Sequence, residues 1–140
     1  MLFGWWLARR PAPRGGTVVT VTLRCPDGVY LSDVRTLDRN GKLRNEQQGV
    51  GDWGISGPVY FTIEHERRGP GGKHRDLDMT RERNYTAYRV LGLSYTSFKY
   101  RSWSDGAVVD AHRASPDELS DLNDQTGAMQ LPASCGGSGD

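Results

Sequence analysis

Residues Thr17–Cys25, Thr-Val-Val-Thr-Val-Thr-Leu-Arg-Cys, repeat with a period of two. Val19, Val21, Leu23 and Cys25 fall on one face, and Thr20, Thr22 and Arg24 on the other. Helix neighbours recur every three or four residues, so this alternation belongs to a strand with one buried face. Val59–Glu66 repeats it, with Val59, Phe61, Ile63 and His65 opposite Tyr60, Thr62, Glu64 and Glu66.

Shorter strand signals cover Val29–Val34, Asn84–Tyr95, Thr96–Ser104 and Ala107–Ala111, with Gly92 marking a bulge or bend. Asn40-Gly41, between Arg35–Arg39 and Lys42–Asn45, predicts a hairpin with a type I′ turn. Its arms are mostly polar, so it is expected to project or to sit on an edge. Asp105-Gly106 predicts a second hairpin. Residues 46–58, with four glycines, read as a loop, and Arg67–Arg75 reads as a basic, Gly-rich loop. Ser115-Pro116-Asp117-Glu118 predicts a helix start, with serine as N-cap, proline in the first turn and two acids at the positive end of the dipole.

Six or seven short strands at about ten-residue spacing, in a chain whose 140 residues include 18 glycines, predict a mainly β fold. The expected architecture is a small antiparallel β-barrel or sandwich with one short C-terminal helix and extended N- and C-terminal arms. A barrel is favoured because so short a chain fills two separate sheets poorly. The expected organisation is an arm over 1–16, a β-rich domain over 17–112, and a helix with an acidic, Gly-rich tail over 113–140.

Charge sharpens this division. Basic and acidic residues nearly balance, 18 against 17, but not locally. Residues 1–16 hold three arginines and no acid, whereas residues 105–140 hold one arginine against seven acids. A basic body and an acidic tail suit either an acidic partner or a tail folded onto its own body. No stretch approaches the ~20 apolar residues of a membrane-spanning helix. The start, Met1-Leu-Phe-Gly-Trp-Trp-Leu7, places its arginines after the apolar run, unlike a secretory signal. It is acid-free like an organellar transit peptide, yet lacks that class's serines. Without a secretory signal, Cys25 and Cys135 are expected as free thiols. Two cysteines and scattered histidines give no metal-ligand spacing, and no cofactor motif is present.

Three of the residue sets carry possible chemistry. Glu64, Arg83 and His112 are the types that cleave RNA as base, phosphorane stabiliser and acid, but no motif anchors them. Arg67, Arg68, Lys73, Arg75, Arg81 and Arg83 form a cationic stretch beside Tyr85, Tyr88, Tyr95, Phe98, Tyr100 and Trp103, which could stack bases. Interleaved acids make a salt-bridged surface the stronger expectation there. Phe3, Trp5, Trp6, Arg9 and Arg10 suit a groove on a partner.

The sequence therefore favours a non-enzymatic structural subunit, in a virus or phage particle or as an accessory subunit of an organellar or membrane complex. Its partner-binding residues would be those of the arm together with Arg67, Arg68, Lys73 and Arg75. Its partners would be other protein subunits, with nucleic acid or lipid headgroups as the acidic partner. A nucleic-acid-binding β-barrel is the alternative, and a small ribonuclease-like enzyme the second.

Overall fold

The computed structural model describes residues 2–69, 74–78, 81, 84–126 and 135. Its strands are β1 (Gly4–Pro11), β2 (Thr17–Arg24), β3 (Val29–Leu37), β4 (Leu43–Ser56), β5 (Val59–Arg68), β6 (His74–Asp76), β7 (Tyr85–Leu93), β8 (Ser97–Ser102) and β9 (Val108–Arg113), followed by helix α1 (Pro116–Thr126). The sheet runs β4-β3-β2-β1-β9-β8-β7-β5, and β4 also pairs with β5. Every pairing is antiparallel, so these eight strands close into an up-and-down barrel. The three-residue β6 adds only a short hairpin on the end of β5.

The N-terminal segment expected as an arm is instead part of the wall. β1 pairs with β2 over its whole length and with β9 through Trp6↔Arg113, Leu7↔His112 and Ala8↔Ala111. Its consecutive apolar residues have a physical reason, because both of its faces are covered. Trp6 turns inward and is 1% exposed, while Leu7 turns outward and is fully buried beneath α1.

Residues 46–58, expected as a loop, mostly belong to β4, the longest strand. Its glycines permit close packing rather than a turn. A Cβ on Gly51 would collide with the Ile63 carbonyl, and one on Gly49 with the Glu64 carboxylate. The pairing of β4 with β5 also shifts between Val50 and Gly51, as at a bulge. The β3–β4 hairpin forms, but not through a type I′ turn, because that geometry needs positive φ at Asn40 and only Gly41 has it, at 82°. Asp38 accepts hydrogen bonds from the Asn40 and Lys42 amides, both at 2.9 Å, and holds a longer loop closed.

The alternation of β2 identifies the strand, but its apolar face is not the barrel interior. Val19 and Val21 point outward and are buried with Leu7, Leu37 and Leu122 beneath α1. The threonine face points into the lumen. Helix α1 begins as expected: Ser115 Oγ accepts from the Glu118 amide at 3.1 Å, and Glu118 returns a bond to the Ser115 amide at 3.0 Å, a capping box. The helical part of the acidic segment thus folds onto the body.

Polar residues also lie under the helix. Arg35 is fully buried and donates to both Asp33 oxygens, at 3.1 and 3.2 Å, and to Asn123 of α1 at 2.8 Å. Glu46, cross-strand from Arg35, lies 3.3 Å away, and Gln48 donates to Asp33 at 3.2 Å. Removing one partner from such a cluster strands a buried charge. Arg35→Ala is expected to destabilise the protein by about 3–5 kcal/mol, measured by chemical denaturation.

The expectation of free thiols is corrected as well. Cys25 and Cys135 form a disulfide, with Cα atoms 5.4 Å apart and a sequence separation of 110. Proximity in the fold, which no local sequence pattern reports, decides whether two cysteines can bond. Restraining so long a loop removes much of the unfolded chain's freedom, which is worth typically 2–4 kcal/mol. Reduction, or the Cys25→Ser/Cys135→Ser pair, is expected to lower the thermal midpoint by a corresponding amount while circular dichroism stays β-dominated.

Candidate functional site

The inward positions divide the barrel into a filled end and a hollow one. Where β1 begins, Leu2, Trp6, Tyr60 and Phe98 are at most 3% exposed and pack as one cluster. The Trp6 indole donates to the Leu2 carbonyl at 3.0 Å, which fixes the segment before β1 across this end. The Tyr60 ring centre lies 5.1–5.3 Å from those of Tyr88, Phe98 and Tyr100, in stacked and edge-on geometries. These rings form a rigid aromatic floor.

Above the floor the inward residues are small. Ala8, Thr20, Thr22, Ser32, Val34 and Thr62 help to line a cavity of about 270 Å³. A second hollow, of about 300 Å³, shares Ser32 and Val34 with it and reaches Glu64 and Arg67. An eight-stranded barrel is just wide enough to be filled by side chains or to hold one small ligand, so the size of its inward residues decides between the two.

One charged group lies in the first cavity. Arg24, opposite Tyr30 in the β2–β3 pairing, is 1% exposed. Its Nε donates to the Tyr60 hydroxyl at 3.0 Å, and its guanidinium carbon lies 5.3 Å from the Phe98 ring centre. Its Nη1 is buried with no hydrogen-bond partner. Burial alone would lower the guanidinium pKa, but Tyr60 and Tyr100 beside it outweigh that effect, and the net shift is upward. Burial is the main cause that raises the Tyr30, Tyr88 and Tyr100 hydroxyls above the ordinary phenol value. The lumen thus holds a cation and protonated hydroxyls at neutral pH.

The proposed catalytic set is not assembled. Glu64 faces the second hollow, where it pairs with Arg67 at 2.7 Å. His112 points outward, since its neighbour Ala111 lines the cavity, and it pairs with Glu118 of α1 at 2.8 Å. That contact and the Ser115 amide hold the Glu118 carboxyl below its ordinary value, the amide being the larger cause. The barrel wall separates Glu64 from His112, and Arg83 lies outside the described residues.

The partner-binding candidates divide similarly. Trp6 is consumed by the floor, and Trp5 packs against the cluster under α1. Phe3 stays 45% exposed, edge-on to Trp53, and Arg9 and Arg10 are exposed on β1. Arg67 and Arg68 pair with Glu64 and Glu66 at 2.7 and 2.8 Å, the salt-bridged surface that the interleaved acids predict. Arg75 is exposed on β6, and Lys73 lies outside the described residues. Of the aromatics offered for stacking, Tyr88, Phe98 and Tyr100 are in the lumen, whereas Tyr85, Tyr95 and Trp103 are exposed. His65, half exposed, pairs with Asp52 at 2.7 Å.

Sequence reasoning missed Arg24, Tyr30 and Tyr60, and it took Tyr88 and Tyr100 for surface stacking residues rather than lumen ones. A signal was present: Arg24 shares its phase with Thr20 and Thr22, and Tyr60 shares its phase with Thr62. Aromatic and charged residues in the threonine phase of two strands mark a face that is polar yet enclosed.

Among the described residues, no three His, Cys, Asp or Glu side chains gather in a way that could hold a metal ion. Nor is any described helix long and apolar enough to cross a membrane. No protein-family model and no curated protein matches the chain. Among solved structures the chain is similar to a lipocalin-like protein from Bacteroides uniformis ATCC 8492, at 18% identity and a TM-score of 0.45, covering 81% of this chain and 98% of that one.

Because His112 and Glu64 lie on opposite sides of the wall, His112→Ala should change stability by no more than about 0.5 kcal/mol. Thermal melts check this. Wild type and variant are both expected to leave a mixed-sequence RNA intact in a parallel cleavage assay.

Proposed function

We propose that this chain is a binding protein that holds one small molecule inside its barrel. The observation that carries this reading is the cavity of about 270 Å³ between the aromatic floor and a ring of small inward side chains. Ligand sites are concave and mostly apolar, with a few placed polar groups, and the lumen combines these features. Binding is tested by titrating the protein with a neutral planar probe, 2-naphthol, in a calorimeter. Saturable one-to-one binding is expected, and Ser32→Phe, which places a ring in the cavity, should abolish it with the fold intact by circular dichroism. No binding by the wild type, or binding undiminished in a folded Ser32→Phe, would remove the reading.

Assembly through the terminal segment, which the sequence alone favours, is a second proposal. Its support is the exposure of Phe3, just before the closing strand, and of Arg9 and Arg10 near that strand's end. Trp5 and Trp6 contribute less, since the fold uses them. Nucleic-acid binding through Arg67 and Arg68 would require them to leave Glu64 and Glu66.

A further inference from the structure

Resting on the lumen-binding reading, we infer that the ligand is a small monocarboxylate with a flat apolar body, its carboxylate anchored by Nη1 of Arg24. Three observations lead there. The first is an unmet donor, one of two among the described residues, the other being Nε of Arg67. A buried polar group without a partner is rare in folded proteins and asks for an explanation. Nη1 of Arg24 is such a group, on a side chain that is 1% exposed and lines the cavity.

The second is the contrast with Arg35. This barrel contains another fully buried guanidinium, and there it supplies Asp33, Glu46 and Asn123 as acceptors. Around Arg24, among the described residues, no carboxylate is within ion-pairing distance. The hydroxyl of Tyr60 accepts from Nε, and the rings of Tyr60 and Phe98 flank the group. Rings stabilise a cation but do not neutralise it. Arg24 is therefore a buried cation with no counter-charge beside it, in the lining of a space that an anion can enter.

The third is size and lining. Ligand cavities usually span about 300–1,000 Å³, so one of about 270 Å³ admits a small molecule. Trp6, Val109, Ala111 and Val34 give apolar contact, and the stacked and edge-on rings of the floor favour a flat body. With one guanidinium nitrogen unmet, a singly charged group fits better than a doubly charged phosphate.

The test compares 2-naphthoate with 2-naphthol at neutral pH by calorimetry. The two probes have nearly the same body and differ in charge. A hydrogen bond to a charged group is strong enough that 2-naphthoate should bind roughly ten- to a hundredfold more tightly. Arg24→Met should erase this preference, read as the ratio of the two affinities within the same variant, and Arg24→Lys should keep part of it. If Arg24→Met does not fold, the wild-type comparison decides the carboxylate, and a preference undiminished in Arg24→Lys would overturn the assignment to Arg24. Binding of 2-naphthol with no preference for 2-naphthoate would overturn the carboxylate inference alone. Failure of both probes to bind would overturn the lumen reading beneath it. A preference that persists in a folded Arg24→Met would place the anion site elsewhere and overturn the assignment to Arg24.

Discussion

The pairing of the first strand with the last determines what this chain can be. Without the three register pairs between β1 and β9, the sheet would present two long open edges, each inviting pairing with another chain. With them it becomes a cylinder of eight strands, whose circumference sets the width of its interior. Closure also explains why β1 carries large apolar residues on both faces. Trp6 helps to fill one end of the cylinder, and Leu7 helps to seat the helix outside it. The same strand therefore links an inner aromatic cluster to an outer aliphatic one.

The two clusters differ in character. The outer cluster, between α1 and β1–β3, is aliphatic around a satisfied ion cluster and looks built for stability. The inner one is aromatic and hydroxyl-rich, and it holds a cation whose hydrogen bonding is incomplete. Natural folds usually satisfy polar groups where only stability is at stake, so an incomplete one in a hollow points to function.

Much of the fold was legible in the sequence. Alternation located β2 and β5, turn chemistry located the hairpins, and Ser115-Pro116 located the start of α1. Three features were not legible, each for a physical reason. Trp5 and Trp6 looked like an exposed arm because a strand covered on both faces has no alternation. The glycines of β4 looked like a loop because close packing against Ile63 and Glu64 leaves the same mark as a turn. Cys25 and Cys135 looked free because nothing local reports that residues so far apart meet. The site was the least legible part. Alternation shows that a strand has two faces, but not which one turns inward, and here the more polar face of β2 does. Arg24 consequently read as a solvent residue.

The buried charges under the helix bear on how the chain avoids folding into the wrong sheet. Along β3, Asp33 and Arg35 point outward, while Ser32 and Val34 point inward. Moving β3 by a single residue against β2 would exchange these sets, since side chains alternate strictly. Asp33 and Arg35 would then enter the lumen without Glu46 and Asn123, and Val34 would take their place beneath α1. An aliphatic row would tolerate such a slip at modest cost, whereas an ion cluster with partners on β3, β4 and α1 does not. Arg35 thus makes misaligned sheets costly, and the aligned sheet is the one in which Arg24 reaches the cavity.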